Sequence, residues 1–154
     1  MRRTQVTDCR VLPFDTSRVY AALIDFARYT EWWPAELRLK VVHVSADHIG
    51  SRFEVLPRGG SFVCEVAAHV REKEIQIQYV DGLHRGTGLW TLKPHEQGTL
   101  LCYQIDLEPQ GCLPRLLSNV MNFAALHSQG MEKLFDGLHQ WLNVSREQKP
   151  EALT

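Results

Sequence analysis

Long apolar runs are missing from this chain, and none approaches the ~20 consecutive apolar residues that a membrane-spanning helix needs. An integral membrane segment is therefore not expected, and any membrane contact would be transient. A charge excess of either sign is missing too: 17 Lys and Arg stand against 18 Asp and Glu, for a formal net charge of −1. Nucleic acid is excluded as a partner on that ground, because phosphate binding relies on clustered Lys and Arg that release counterions. Arg2 and Arg3 are too few to change this. No apolar stretch follows that arginine pair, so neither a secretory nor a twin-arginine export signal is expected, and the predicted location is the cytoplasm. Cysteine is scarce and scattered: Cys9, Cys64, Cys102 and Cys112 lack the close pairing of tetrahedral zinc sites or redox loops, and are expected to be reduced thiols. The seven histidines form no close pair on one helix face, so no metal is expected. A Gly-rich phosphate loop and a nucleophile elbow are both absent, which argues against a dinucleotide cofactor, or any other cofactor, and against serine hydrolysis.

What is present is ordinary for a globular protein, with 44% hydrophobic and 23% charged residues in 154. A domain of that size buries roughly 70% of its unfolded surface, enough for a core without staples. No internal repeat or linker divides the chain. One domain is expected over residues 1–143, followed by a tail over 144–154 that lacks apolar periodicity.

An opening strand over residues 4–12 ends at Pro13, which removes a backbone donor. Asp15 or Thr16 can then cap an amphipathic helix carrying Val19, Tyr20, Leu23 and Ala27 at helical spacing. A further short helical turn over 29–33 is stopped by Pro34. From residue 37 to 109 the pattern changes to period two, with turn signals at 46–50, 57–61, 72–74, 81–83 and 94–98. Six strands result. One face carries Leu37, Leu39 and Val41, then Phe53 and Val55, then Phe62, Cys64, Val66, Ala68 and Val70. It continues with Ile75, Ile77 and Tyr79, then Gly88, Trp90 and Leu92, then Leu101, Tyr103, Ile105 and Leu107. The alternate positions, His69 among them, are mostly polar, as in an antiparallel sheet with one wet face.

Something long must cover the other face. Leu113, Leu117, Val120, Ala124, His127, Met131, Leu134, Leu138 and Trp141 repeat in steps of three and four, which predicts a helix over 114–142. At ~1.5 Å per residue it is about 43 Å long and crosses the whole sheet. Gly130 and Gly137 interrupt it, each at a cost of about 1 kcal/mol, and imply a close approach of the sheet or a slight bend. Seven antiparallel strands twist and curl, and one helix about 10 Å wide does not fill the concave face. A cavity is expected there, with Tyr79, Trp90, Tyr103 and Met131 as its apolar lining and His84 and His127 as its few polar groups. Gly86 and Gly88, just before Trp90, either leave room for a ligand or mark bulges.

The segments PFDTSRVYAALIDFARYTEWWP, GTGLWTLKP, QGTLLCYQIDLEP and MEKLFDGLHQWL resemble the START-like (SRPBCC) helix-grip superfamily, within its polyketide cyclase/dehydrase and lipid-transport group, which includes coenzyme-Q-binding proteins. The resemblance spans residues 4–142. It implies an α+β helix-grip fold: a seven-stranded curved antiparallel sheet wrapped around the long C-terminal helix, with two short helices between strands 1 and 2. It also implies that the cavity takes a lipid, quinone or polyketide-like molecule, and it places Trp33 near one entrance. The ligand-binding set is accordingly Trp33, Tyr79, His84, Trp90, Tyr103, Ala124, His127 and Met131.

Three functions compete. Binding or transport of a small hydrophobic molecule is favoured, because the inward face is almost empty of ionisable residues. The alternative is a cyclase or dehydrase acting in the same cavity, with His127, Tyr103 and Tyr79 as acid/base candidates. The family has no universal catalytic motif, so the resemblance transfers no catalytic residue. The third, an interaction module, draws no support from the near-neutral charge. Each singled-out residue has a plainer role beside the functional one: His127 as a core histidine bonded to backbone or Tyr103, His84 as a solvated turn residue, Trp33 as a closing core side chain.

Overall fold

Alternation carries the chain from β1 (Thr4–Leu12) through a helical crossover into six consecutive hairpin-linked strands. These are β2 (Leu39–His43), β3 (Arg52–Val55), β4 (Phe62–Val70), β5 (Glu74–Gly82), β6 (His84–His95) and β7 (Gly98–Pro109). All seven form one antiparallel sheet in the order β1-β7-β6-β5-β4-β3-β2, so the first strand closes onto the last and leaves β1 and β2 as the two edges. The computed structural model describes residues 3–57, 60–111 and 122–147.

Between β1 and β2 the chain forms α1 (Thr16–Ile24), capped by Asp15, whose side chain accepts from the Arg18 N–H at 3.2 Å. Val19, Tyr20, Ala22 and Leu23 are its buried face. The helix ends at Asp25, earlier than the Ala27 periodicity implied, and tightens into a 3₁₀ turn over Phe26–Glu31. Phe26 and Tyr29 are the buried residues of that turn, Ala27 is exposed, and the Tyr29 hydroxyl donates back to the Leu23 carbonyl. A second 3₁₀ turn, Ala35–Leu37, follows Pro34.

The last helix, α2, runs over Phe123–Glu147, 25 residues or about 37 Å. Its expected first turns, residues 114–121, lie outside the described residues, as do Leu113 and Cys112. At the other end it continues past Asn143 into the segment expected to be tail. Met131, Leu134, Phe135, Leu138 and Leu142 are its buried positions. Phe135 was not on the expected stripe, yet it is fully buried, 6.4 Å from the Trp90 ring and beneath the Arg10 guanidinium. Arg10, from β1, is clasped between Glu132 and Asp136 one turn apart, which ties the edge strand to α2.

Gly137 has a reason unlike the one expected. The close neighbour is not the sheet but the 3₁₀ turn: a Cβ at Gly137 would run into the Trp32 carbonyl oxygen. At Gly130 a Cβ would meet only the Leu37 side chain, at 3.3 Å. Gly137→Ala is therefore expected to destabilise by about 1–3 kcal/mol through overpacking, outweighing the ~1 kcal/mol that Ala gains over Gly in a helix. Gly130→Ala is expected to be neutral or stabilising. Urea melts of the two variants separate these outcomes, and equal midpoints would contradict the close approach.

Two side-chain assignments change because the pairing slips. In β4, Val66 pairs with Ile77 but Ala68 with Gln76, so Ala67 is an extra residue that reverses the alternation. Val70, expected inside, is 47% exposed. His69, expected outside, turns in, where its Nδ1 accepts from the Tyr20 hydroxyl at 2.8 Å and its Nε2 reaches the Asp47 carbonyl at 3.1 Å.

The expectation of reduced thiols also fails. Cys9 and Cys102 are 93 residues apart in sequence but directly opposed in the β1–β7 register, with Cα atoms 4.1 Å apart, and they form a disulfide. Sequence spacing cannot reveal a cross-strand pair of this kind. Disulfides persist chiefly in oxidising compartments, so this pair lends no support to the cytoplasmic location expected from the missing export signal. Cys64 is free and buried. Among the described residues, no helix is long and apolar enough to cross a membrane.

Candidate functional site

The inward face of the sheet is built by parity. Leu12 is fully buried, so Val6, Asp8 and Arg10 share its side of β1, and the register sets Asp8 directly beside Tyr103 of β7. The expectation of an inward face almost empty of ionisable residues is corrected here. Counting back by twos from Leu12 would have found Asp8; the loose polarity of β1 concealed it.

Next to that pair, β6 offers Gly88 opposite Ile105 and Trp90 opposite Tyr103. Gly88 makes room for a side chain of the protein rather than for a bulge. A Cβ there would collide with the Tyr103 hydroxyl and come within 2.7 Å of its ring Cζ. The Tyr103 phenol thus lies across Gly88 and meets the Tyr79 hydroxyl at 2.7 Å. Both tyrosines are buried, and burial pushes each well above the ordinary phenol value, so both remain neutral hydroxyls. Gly86, with φ at +142°, has a different cause: a Cβ there would run into the backbone carbonyl of Asp106.

α2 brings His127 onto this surface. Asn122 caps the first turn, its side-chain oxygen accepting from the Ala125 N–H at 3.1 Å. One turn on, the His127 ring lies nearly parallel to Tyr103 with centroids 6.1 Å apart. Its Nδ1 is 3.3 Å from Asp8 Oδ2, with side-chain exposures of 14% and 13%. The two atoms are in contact but not aligned as a hydrogen bond, and each is buried with no hydrogen-bond partner among the described residues. His84, the first residue of β6, is buried and stacks on Phe123 with centroids 4.2 Å apart; its Nδ1 is likewise without a partner. Phe123 in turn lies 6.3 Å from His127.

Of the residues singled out from sequence, Tyr79, His84, Trp90, Tyr103 and His127 therefore form one connected group. Trp90 joins it through its ring, 4.5 Å from that of Tyr103. Met131, one turn beyond His127, is buried, and Ala124 is half-buried on the first turn of α2. Trp33 belongs to another group. It stacks on Tyr29, contacts Phe53, and donates its indole N–H to the Leu37 carbonyl at 2.6 Å. Asp8 and Phe123 are the members that sequence reading missed.

Burial lowers the pKa of His127 below the ordinary histidine value, with Asp8 opposing the shift. Burial lowers His84 as well, and neighbouring His127 adds to it. Both rings are neutral at pH 7. The sign of the linkage follows: below the ordinary value of 6.5, the unfolded chain takes up protons that the folded chain refuses. Stability from these rings is complete above pH 6.5 and is lost as pH falls through their lowered folded values. Melting temperature is therefore expected to fall as pH drops below 6.5, and less steeply in His84→Phe than in the parent. A parallel fall in both would remove His84 from the effect. Among the described residues, no group of three or more His, Cys, Asp or Glu is placed to hold a metal ion.

Residues 12–125 match the family described as polyketide cyclase / dehydrase and lipid transport. No curated protein matches the sequence. Solved structures share the fold. TTHA0849 from Thermus thermophilus superposes with a TM-score of 0.75 at 20% identity, covering 92% of this chain and 99% of that one. A START superfamily protein from Mycobacterium smegmatis gives 0.69 at 18% identity, over 90% and 97% of the two chains. SA2116 from Staphylococcus aureus, a protein of unknown function, gives 0.70 at 14%, over 96% and 98%. At such identities the likeness extends to the fold alone.

Proposed function

The chain belongs to the polyketide cyclase/dehydrase and lipid transport family, and from that membership we propose that it holds a small hydrophobic molecule between the concave face of its sheet and α2. One observation carries the reading: a few polar groups, the Tyr79–Tyr103 hydroxyl pair, Asp8 and His127, come together on the sheet face that also carries the buried side chains of Ile77, Trp90, Ile105 and Leu107. Apolar walls with sparse, convergent polar groups suit a site in which burial supplies the affinity and hydrogen bonds the orientation. Burial contributes about 25 cal/mol per Å² of apolar surface removed from water.

A lipid, quinone or polyketide-like guest present at a hundred times its dissociation constant stabilises the folded state by about 2.7 kcal/mol. For a chain of this length, that raises the melting temperature by roughly 5–10 °C. Native mass spectrometry of the purified protein, with thermal melts against quinones and fatty acids, tests the proposal. No bound species and no shift with any apolar ligand would refute it. The Asp8–His127 contact favours a second reading, an enzyme of cyclase or dehydrase type acting on the same guest.

A further inference from the structure

We propose that Asp8 and His127 form a proton-accepting pair for an acidic hydroxyl, a phenol or an enol, on the molecule held beneath α2. The inference rests on the binding proposal above and specifies its ligand. Neither residue lies in the 12–125 segment that matches the family, so the family description assigns them nothing.

The geometry supplies three requirements of such a pair. The Asp8 carboxylate, in contact with Nδ1 though not aligned as a hydrogen bond, favours electrostatically the tautomer with its proton on that nitrogen, which leaves the lone pair on Nε2. The carboxylate also lacks a full cation among the described residues. Arg10, two positions along β1, is engaged by Glu132 and Asp136, and Arg3 by Asp106 and Glu108. A proton taken by His127 therefore creates the charge that Asp8 is missing. Finally, the Tyr79 and Tyr103 hydroxyls share one hydrogen bond, which uses one of their two protons; the other is free to donate to an anionic oxygen. The titratable groups around the imidazole are Asp8 from β1, His84 from β6, Tyr79 from β5 and Tyr103 from β7. Burial holds both histidines toward the neutral form, so the His127 lone pair is not already occupied, and Asp8 opposes the loss of basicity that burial brings.

The substrate class follows from acidity. An aliphatic alcohol is too weak an acid to yield its proton to imidazole. A carboxylic acid is already ionised at neutral pH and has no proton left to give. A phenol or enol lies between them, and its flat framework suits a lining of Trp90, Tyr103 and Phe123. In the step, the ligand O–H bond breaks and its electron pair stays on oxygen. The proton bonds to Nε2, and the imidazolium then pairs with Asp8. No carbon bond changes and no co-reactant is needed.

4-Nitrophenol reports this directly, because its phenolate absorbs in the visible. Bound to the parent protein, it is expected to ionise about one pH unit lower than in free solution, a tenfold change in its ionisation constant. His127→Gln, which removes the acceptor, should abolish the shift, and Asp8→Asn, which removes the positioning charge, should reduce it. Nile red, apolar and without an acidic proton, should bind the parent. If Nile red fails to bind the parent, the binding proposal falls and this one with it. If Nile red binds but 4-nitrophenol does not bind, titrates as it does free, or keeps its shift in His127→Gln, the proton-accepting pair is overturned while binding stands. Circular dichroism establishes folding of each variant, and should one fail to fold, the parent's shift and the other variant decide.

Discussion

Replacing both Cys9 and Cys102 by serine is expected to lower stability by about 2–4 kcal/mol and the melting temperature by roughly 4–16 °C. The bond closes a loop of 93 residues in sequence, which takes in almost the whole sheet. In the chain-entropy picture, a loop of that size restricts the unfolded state by more than about 4 kcal/mol. The native state needs little adjustment to hold it, because the two residues are already cross-strand partners. Its local effect is on β1, an edge strand paired only with β7, which carries Asp8 and Arg10 to their partners on α2. Denaturant melts of the parent with and without reductant, beside the double serine variant, measure the effect. Cys64 serves as an internal control, since its buried thiol forms no bond. Coincident midpoints under oxidising and reducing conditions would mean that the two sulfurs are not joined in solution.

Gly88→Ala is expected to cost about 3 kcal/mol, against the usual preference of strands for Ala over Gly. The reason is the Tyr103 phenol, which occupies the space that a Cβ would take. To admit the methyl, the ring must tilt away, which breaks its bond to Tyr79 and leaves a buried hydroxyl unpaired at about 1–3 kcal/mol. A double variant tests this cause more sharply than destabilisation alone. In a Tyr103→Leu background the obstacle is gone, so Gly88→Ala should cost little or nothing there. The coupling between the two sites should reach about 2 kcal/mol in a double-mutant cycle. Additive costs would show that Gly88 is required for some other reason. If the proposed guest lies beneath α2, its binding should weaken in Gly88→Ala as well, because the displaced ring would compete with it.

Which parts were legible follows from the range of the forces involved. Turn residues and two-residue alternation reported all six hairpin strands, because both signals arise between near neighbours in sequence. The same signal misplaced Val70 and His69 once Ala67 bulged out of the ladder: a slip in pairing depends on the partner strand. Period-three-and-four spacing found Met131, Leu134 and Leu138 but omitted Phe135, whose neighbours Arg10 and Trp90 come from β1 and β6. Asp8 was legible in principle, through its parity with Leu12, yet its importance arises only from His127, 119 positions away by residue number.

By itself, then, the amino-acid order determined the elements and their succession, the apolar inward stripes, and the tyrosines and histidines that populate them. These follow from local backbone preference and from the period at which apolar side chains recur. The tertiary structure alone decided that β1 lies beside β7. That single adjacency joins Cys9 to Cys102, sets Asp8 beside Tyr103, and brings the carboxylate to His127 on α2. Its physical origin is burial of the whole sheet face at once, a cooperative condition that no window of neighbouring residues contains.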